Sequence, residues 1–319
     1  MAANDDAGAG NEQVAGDVGE EGNAKKPVVL ITGCAKGGIG YEYCHAFSAL
    51  GCRVVATDIP DRVPDLAADL AADEAAAAAA DDTLVLPLDV TSDASVAAAV
   101  RRVLAERGRI DVLVNNAGVG CTGPLAELPL DSVRRAMDVN FLGQVRMVRA
   151  VAPHMASCRR GGRVVNVGSV VGTAATPWAA PYCASKAAVH AATDALRLEL
   201  RPFGVHVVKV VPGAVRSALG RANEAALAAE RRRRPEWGMY REFAAAIEER
   251  ARASQAGGAT EAAEFARHVA RKVMRPRPPR EIVYGSMTLL FAALAAAPAW
   301  ARDAFFARRF GLHGKKMMP

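Results

Sequence analysis

A glycine-rich turn between an apolar strand and a helix is the feature that most constrains the fold of this 319-residue chain. Residues 27–31 form a continuous apolar run of strand length, residues 32–40 contain the glycines, and residues 41–50 have the apolar spacing of a helix. In such a turn, backbone N–H groups and the start of the helix can approach a pyrophosphate that side chains would block. The turn and its flanks therefore predict dinucleotide binding rather than a purely structural turn.

Further apolar runs of strand length occur along the chain, and helical segments separate them; the runs cover residues 52–57, 84–88, 112–114, 162–167 and 205–211. This alternation predicts an α/β fold, a single Rossmann-type, doubly wound parallel sheet. The length and the 51% hydrophobic content allow one large domain, and a second domain is not required. Several residues that follow strands should share the ligand-binding edge of the sheet, namely Asp58, Asp89, Asn115, Ser169 and Pro212.

Tyr182 and Lys186 lie four residues apart in a helical segment, which brings a phenol and an ammonium to the same face. A neighbouring cation favours the phenolate, and a fall of roughly three pKa units would bring a tyrosine to working pH. Ser169 follows the apolar run 162–167, so its hydroxyl should lie at the carboxyl edge of the sheet. Alone, this spacing is more typical of a surface pair. Its agreement with the rest of the chain favours an acid/base site.

Two residues give opposing indications about the cofactor. Asp58 ends the second strand, where a carboxylate can accept hydrogen bonds from the adenosine ribose 2′-hydroxyl and repel a 2′-phosphate, which favours NAD(H). Lys36, within the glycine-rich turn, could pair with that phosphate, which favours NADP(H). We give the carboxylate more weight because it repels phosphate whatever a flexible lysine does. The alternative for Asp58 is a cap on the next segment.

Several helices are expected between the strands. Residues 67–80 are alanine-rich and helical by propensity, and Ser92 can cap the helix after it. A helix over residues 131–157 contains Asn140 among apolar neighbours. Because a buried amide needs partners, Asn140 either finds them locally or holds a water beside the active pair. Thr260 is expected to cap a later helix.

Composition divides the chain into three regions. Residues 1–26 are rich in Gly, Ala, Asp and Glu and lack an apolar segment, which predicts a disordered acidic tail rather than a signal or transit peptide. Residues 27–285 are the predicted dinucleotide-binding catalytic domain. Within it, residues 218–275 follow the sixth strand and are predicted to be a helical lid over the substrate, before a last strand at 281–284. Residues 286–319 form an apolar and basic C-terminal extension.

The formal net charge is +6, and basic residues concentrate late in the chain. No aromatic-interleaved basic motif accompanies them, so they favour an anionic substrate or membrane surface over nucleic acid. The arginine run 231–234 is more typical of a solvated helix face than of a phosphate site. The six cysteines form no CxxC pair and the six histidines show no ligand spacing. We therefore expect free thiols in a reducing, cytoplasmic compartment, and no metal.

The longest apolar stretch, residues 287–300, is shorter than the roughly twenty residues needed to span a bilayer. Together with the basic residues that follow, it would suit a tail that lies in a membrane interface. Packing against the core or against a second subunit explains it equally well.

Taken in order along residues 27–217, the motifs resemble those of the short-chain dehydrogenases/reductases. The shared motifs are Thr32-Gly33 with Gly38-Ile39-Gly40, Asp89-Val90, Asn115-Asn116-Ala117-Gly118, Asn140, Ser169, Tyr182 with Lys186, and Pro212-Gly213. The resemblance implies a catalytic tetrad. Tyr182 would exchange a proton with the substrate oxygen, and Ser169 would hydrogen-bond the same oxygen. Lys186 would lower the tyrosine pKa and hold the nicotinamide ribose, and Asn140 would anchor a water.

The resemblance also implies hydride transfer between a nicotinamide cofactor, NAD(P)(H), and a carbonyl or alcohol substrate. Ser217 stands where the family usually has a threonine on the nicotinamide amide. The implied cofactor-binding residues are Thr32, Gly33, Lys36, Gly38, Ile39, Gly40, Asp58, Asp89, Val90, Asn116, Ala117, Gly118, Tyr182, Lys186, Pro212, Gly213, Val215 and Ser217.

The glycine-rich turn contains an extra residue relative to the usual family spacing. This form, with residues 212–217 and 278–285, looks like the NADPH-dependent 1-acyldihydroxyacetone-phosphate reductase branch. That likeness implies a lipid ketone substrate and a place at the cytosolic face of the endoplasmic reticulum or on lipid droplets. A homo-oligomer is also expected. Asp58-Ile59 departs from the small residue and arginine expected in that branch.

Three alternatives stay open. The chain could be an NAD-dependent dehydrogenase of another secondary alcohol, such as a steroid or small terpenoid. It could be a cofactor-binding scaffold without catalysis, although the intact serine, tyrosine and lysine weigh against this. A sugar-nucleotide epimerase shares the tyrosine and lysine, but its larger carboxyl-terminal domain is not evident in the sequence.

Overall fold

Seven parallel strands form the central sheet in a computed structural model that describes residues 26–73, 82–158, 161–233, 237–255 and 257–312. The strand order is β3-β2-β1-β4-β5-β6-β9, which confirms the predicted doubly wound fold. The predicted acidic tail, except Lys26, lies outside the described residues. The strands are β1 (Val28–Thr32), β2 (Arg53–Asp58), β3 (Leu84–Pro87), β4 (Val112–Asn115), β5 (Arg163–Val167), β6 (His206–Pro212), β7 (Val215–Arg216), β8 (Thr260–Glu261) and β9 (Glu281–Tyr284).

The register of the sheet brings the predicted site residues to one edge. In the parallel pairing of β2 with β3, Asp58 lies opposite Pro87, and in that of β4 with β5, Asn115 lies opposite Asn166. β6 pairs in parallel with β5 on one side and β9 on the other. Since all seven strands run in the same direction, their carboxyl ends share one edge. The loops that follow them are the candidate site.

Helices cover both faces of the sheet. On one face, α1 and α9 pack together and bury Phe47 and Phe265; on the other, α3 and α5 enclose Val100 and Met147. The helices are α1 (Ile39–Ser48), α2 (Val63–Ala72), α3 (Asp93–Arg107), α4 (Leu130–Met137), α5 (Gly143–Ser157), α6 (Ala180–Glu199), α7 (Ala218–Arg233), α8 (Ala244–Arg252), α9 (Ala262–Val273), α10 (Thr288–Ala296) and α11 (Ala299–Phe310).

A third apolar cluster joins the predicted lid to the C-terminal helices. Trp237 and Ile247 of the lid segment pack there with Val171 and Cys183 from the chain after β5, and with Phe291 of α10. Helix α9, which we assigned to the lid, instead packs against α1 in a helical layer of the sheet. Among the described residues, α7, α8 and residues 237–243 remain in the predicted lid.

The helix predicted over residues 131–157 is interrupted. Helices α4 and α5 are joined by a π-helical turn, Asp138–Leu142, with Asn140 at its centre. Such turns insert an extra residue into a helix and occur often at functional sites. Ser92 caps α3 as predicted, because its hydroxyl accepts the N–H of Ser95 at 3.2 Å.

The prediction that Thr260 caps α9 was wrong. Thr260 lies in β8, which pairs with β7 in a second, two-stranded sheet, and Glu261 precedes the helix. The Thr260 hydroxyl accepts the N–H of Ser286 at 3.0 Å. It therefore connects the segment before α9 to the chain after β9.

Candidate active site

Three side chains converge where β5 ends and α6 begins. Ser169 precedes a short 3₁₀ turn, and its hydroxyl accepts the N–H of Val171 at 3.4 Å. Tyr182 lies in the first turn of α6, close enough to Ser169 for the serine hydroxyl to lower the pKa of its phenol. Lys186 lies one turn further, with its Nζ 5.8 Å from the centre of the Tyr182 ring. Ser169, Tyr182 and Lys186 therefore form one cluster, as their spacing in the sequence predicts.

The electrostatics differ from the prediction that Lys186 lowers the pKa of Tyr182. Burial raises the pKa of Tyr182, and the effects that oppose it are the positive charge of Arg250 and the hydrogen bond from Ser169. The Nζ of Lys186 donates to the carbonyl of Val167 at 2.9 Å, and burial lowers the pKa of Lys186 to about 8. At this pKa Lys186 is still mostly protonated at neutral pH, but its charge is not among the effects that set the pKa of Tyr182. Tyr182 consequently stays protonated at neutral pH.

His190, which no sequence motif singled out, supports the serine. Its Nε2 accepts the backbone N–H of Ser169 at 3.3 Å, and it lies one turn after Lys186 on α6. A Cβ atom at Gly168 would collide with its ring. Burial, followed by the charges of Lys209 and Lys186, lowers the pKa of His190 to about 4. The imidazole is therefore neutral and acts as a fixed acceptor.

Asn140 finds protein partners, as the first of the two predicted alternatives requires, but they are distant in sequence rather than local. Its Oδ1 accepts the N–H of Val119 at 2.8 Å, and its Nδ2 donates to the carbonyl of Val119 and the hydroxyl of Ser185, each at 3.0 Å. A Cβ atom at Gly118 would lie 3.3 Å from Asn140 Oδ1 and 3.7 Å from Lys186 Nζ. The amide thus fastens the loop after β4 to α6, directly beside the lysine.

The glycine-rich turn has the shape that a pyrophosphate needs. Gly33 has φ of 74°, and a Cβ atom there would lie 2.8 Å from the Cα of Ala117. A Cβ atom at Gly40 would collide with the carbonyl of Gly33. No side chain in the described part of the chain caps α1 at Gly38, so its first N–H groups are directed at the edge without a side-chain acceptor. A dinucleotide phosphate fits this helix end.

Thr32 and Asn116 hold the turn in place. The hydroxyl of Thr32 accepts the N–H groups of Asn116 and Ala117, each at 3.0 Å. The side-chain amide of Asn116 donates to the carbonyls of Thr32 and Gly33, each at 3.0 Å. These bonds tie the end of β1 to the end of β4 and fix the spacing of the two loops.

Asp58 and Lys36, which gave opposing cofactor indications, have unequal environments. Asp58 is 6% exposed, and its two carboxylate oxygens accept the N–H groups of Ala35, at 2.8 Å, and Ile59, at 2.9 Å. Lys36 forms an exposed ion pair with Asp69 of α2, at 2.8 Å. The carboxylate is therefore fixed at the edge beside the turn, whereas the ammonium already has a partner.

The other predicted cofactor residues also lie at the carboxyl edge of the sheet, and each makes different contacts there. Asp89 accepts the N–H and hydroxyl of Thr91, at 2.9 and 2.7 Å, and Val90 is buried in the core. A Cβ atom at Gly213 would collide with the carbonyl of Ser286, so its lack of a side chain is explained by this contact. Val215 and Ser217 are buried just before α7, and the N–H of Ala218 donates to Gly37 at 2.7 Å.

Arg250, on lid helix α8, is a second residue that the sequence did not single out. Its Nε donates to the hydroxyl of Thr176 at 2.8 Å, and it is close enough to Tyr182 and Cys183 to interact electrostatically with both. Burial lowers the pKa of Arg250. Arginines are frequent in this part of the sequence, and no spacing distinguishes the one that folds toward the tyrosine.

Comparison with known proteins agrees with this geometry. The family model described as short chain dehydrogenase matches residues 27–228. Short-chain dehydrogenase ptmH of Penicillium ochrochloron is 36% identical over 62% of this chain and 69% of its own length. The NADPH-dependent 1-acyldihydroxyacetone phosphate reductase of Schizosaccharomyces pombe is 37% identical over 62% of this chain and 65% of its own length.

A solved structure extends the likeness to most of the fold. A short chain dehydrogenase/reductase from Burkholderia phymatum, in complex with NAD, superposes with a TM-score of 0.72 and 25% identity, covering 89% of this chain and 95% of that one. The matched residues 27–228 include the glycine-rich turn, the serine, the tyrosine and the lysine. This chain belongs to the short-chain dehydrogenase family.

Proposed function

We propose that this enzyme interconverts the ketone of an acylated dihydroxyacetone phosphate and the corresponding secondary alcohol. The family establishes the coarser statement, that the chain is an NAD(P)-dependent oxidoreductase of the short-chain type. The lipid substrate is supported by the 37% identity with the Schizosaccharomyces pombe reductase. It is also supported by the apolar cluster that borders Tyr182, which suits an acyl chain.

The observation that carries the proposed chemistry is the convergence of Ser169, Tyr182 and Lys186, with Lys186 Nζ 5.8 Å from the centre of the Tyr182 ring. The bound nicotinamide cofactor would supply the hydride. Tyr182, kept protonated by burial, would give its proton to the carbonyl oxygen, and Ser169 would hold that oxygen by a hydrogen bond. Lys186 would hold the nicotinamide ribose through its Nζ. Asn140 would keep the loop after β4 against α6.

The residues that we propose to bind the cofactor lie at the same carboxyl edge of the sheet. The turn Gly33 to Gly40 and the start of α1 would hold the pyrophosphate, and Asp58 would accept hydrogen bonds from the adenosine ribose. We propose a preference for NAD(H) over NADP(H), because the carboxylate of Asp58 is fixed beside the turn and Lys36 is paired with Asp69. The remaining predicted cofactor residues, from Asp89 to Ser217, would line the nicotinamide half.

We also propose a peripheral location at a cytoplasmic membrane surface, the endoplasmic reticulum or a lipid droplet, reached through residues 286–319. Exposed apolar side chains in this segment, Leu289 at 86% and Trp300 at 74% exposure, support the contact. No helix among the described residues is long and apolar enough to cross a bilayer. Exposed Leu125, Leu130 and Leu142 support a homo-oligomer.

The function is tested by following NADH or NADPH oxidation with 1-acyldihydroxyacetone phosphate, and with a steroid and a small ketone as competing candidates. We expect Tyr182→Phe to lower kcat by about 10²–10⁴-fold, because a general acid contributes that much, while cofactor affinity stays near normal. Tyr43→Phe is the matched control, since the Tyr43 hydroxyl is buried and has no hydrogen-bond partner among the described residues.

Three results would contradict the proposal. Unchanged turnover in Tyr182→Phe would remove the tyrosine from the chemistry. Turnover of the steroid or small ketone at rates well above those of the lipid would reassign the substrate. Cofactor binding without any hydride transfer would indicate a scaffold.

A further inference from the structure

Arg250 places a positive charge beside the loop that leads into the helix of Tyr182. Arg250 is partly buried on α8, and no carboxylate within the described residues forms an ion pair with it. Its neighbour on the same helix, Arg252, is exposed and pairs with Glu224 and Glu248. A guanidinium withdrawn from water without an anion is costly, so an anionic ligand would recover free energy there.

The surroundings of Arg250 fix its position. Its Nε donates to Thr176 Oγ1 at 2.8 Å, and Thr176 Oγ1 lies 3.9 Å from the sulfur of Cys183, the residue after Tyr182. Thr176 thereby links the guanidinium to the residue next to Tyr182, and the charge of Arg250 lowers the pKa of Tyr182. Arg250 also shares a side-chain hydrogen bond with Cys183. Because Nε is engaged by Thr176, an oxyanion would bind the N–H groups of Nη1 and Nη2.

The loop that carries Thr176 has further signs of a ligand site. Trp178 has φ of 64°, a left-handed backbone that a bulky residue rarely adopts, and such strain is common at ligand sites. Its indole N–H is buried without a hydrogen-bond partner among the described residues. Its ring packs against Tyr240 and Phe243 of the lid, with centroids 5.4 and 5.7 Å away. These aromatic rings thus pack two residues after Thr176, the hydrogen-bond partner of Arg250.

We propose that Arg250 binds a phosphate or carboxylate group of the substrate, one to three bonds from the carbonyl that Tyr182 protonates. This rests on the proposed function. In an acylated dihydroxyacetone phosphate, one methylene separates the carbonyl carbon from the ester oxygen of the phosphate. The anion would therefore lie close to the arginine when the carbonyl oxygen is at Ser169 and Tyr182. The acyl chain would extend along the apolar cluster.

The first experiment compares kcat/KM for 1-acyldihydroxyacetone phosphate with that for the same ketone lacking the phosphate. We expect Arg250→Met to lower kcat/KM for the phosphate ester about 10–100-fold, the usual effect of losing charge-assisted hydrogen bonds, with less than about threefold change for the neutral ketone. Arg250→Lys should recover part of the loss. Arg252→Met is the matched control and should change kcat/KM for neither substrate.

Thr176→Val tests whether the arginine acts only as a structural support. This variant removes the partner of Nε but keeps the charge, so the preference for the phosphate ester should persist. If Arg250→Met instead lowers kcat/KM equally for both substrates and shifts the pH profile of kcat/KM, Arg250 acts through Tyr182. That result overturns the proposal. The proposal would also be overturned if Thr176→Val abolished the preference for the phosphate ester and Arg250→Met lowered kcat/KM equally for both substrates.

The second experiment does not depend on turnover. Calorimetry with the cofactor-loaded protein measures the binding of decyl phosphate, decanoate and decanol. We expect the favoured anion to bind at least about tenfold more tightly than decanol, and Arg250→Met to abolish that difference. The two anions distinguish a phosphate from a carboxylate substrate. If no ketone is turned over but this difference holds, the proposed function fails and the anion site stands; equal binding of all three probes overturns the anion site.

Discussion

At the scale of single residues, His190 explains how a neutral imidazole supports an acid/base site without taking part in it. It accepts the N–H of Ser169 and faces Lys186 and Lys209, while Asp194 and Glu281 lie further out. If Nε2 of His190 were protonated, it would become a hydrogen-bond donor. It would then face the N–H of Ser169, which is also a donor. Its pKa of about 4, lowered mainly by burial, keeps this from happening at neutral pH.

This environment predicts a pH-dependent stability. In the unfolded chain a histidine titrates near pH ~6.5, so the unfolded state binds the proton more readily than the folded state. The stabilisation is complete above about pH 6.5 and is lost as the pH falls toward 4. We expect the free energy of unfolding to fall by about 2 kcal/mol more in the natural chain than in His190→Gln between pH 7 and 4.5. Denaturant titrations at several pH values measure this difference.

Glutamine is the informative substitution because its amide oxygen keeps an acceptor for Ser169 but does not titrate. Parallel pH profiles for the two proteins would mean that His190 does not carry the dependence. The carboxylates that also titrate in this range are common to both proteins and cancel in the comparison.

The proposed cofactor preference also depends on single side chains. We expect kcat/KM to be at least about tenfold higher with NADH than with NADPH, because the Asp58 carboxylate repels a 2′-phosphate. Asp58→Asn keeps an acceptor for the N–H of Ala35 but removes the charge, so the ratio should fall by about tenfold. Asp65→Asn, exposed on α2, is the control. A tenfold preference for NADPH in the natural chain would show that Lys36 leaves Asp69 and binds the phosphate.

At the scale of helices and strands, the central sheet could be predicted because its strands are apolar on both faces and its turns carry recognisable chemistry. The alternation of runs gave the parallel sheet, and Ser169, Tyr182 and Lys186 could be found because their separations place them after one strand and on one helix face. These are local signals. Each depends on a few adjacent residues and on helix or strand geometry.

The elements that were missed depend on long-range contacts. The π-helical turn around Asn140 is stabilised by bonds to Val119 and Ser185, which are distant in sequence. Helix α9 looked like part of the lid, but its apolar face is completed by α1, from the start of the chain. Arg250 could not be distinguished from the other lid arginines, since only the folded lid decides which of them meets Tyr182.

At the scale of the whole molecule, the C-terminal helices have two faces with different surroundings. Phe291 and Leu294 of α10 and Phe306 of α11 are buried in the apolar cluster near the lid. Leu289 and Trp300, on the same two helices, are among the most exposed apolar side chains of the described residues. Packing on the core therefore accounts for one face only, and the other is available for a membrane interface.

Because the inner face belongs to the fold, removing residues 286–319 would disturb more than membrane contact, and point substitutions test the proposal better. We expect Leu289→Ser with Trp300→Ser to lower binding to anionic liposomes at least about fivefold in a flotation assay, since each side chain would lose its burial in lipid. The control is Leu198→Ser, which removes an apolar side chain of 69% exposure from α6. Equal flotation of both variants and the natural chain would instead assign the outer face to a protein partner, a second copy of this chain being the first to examine by light scattering.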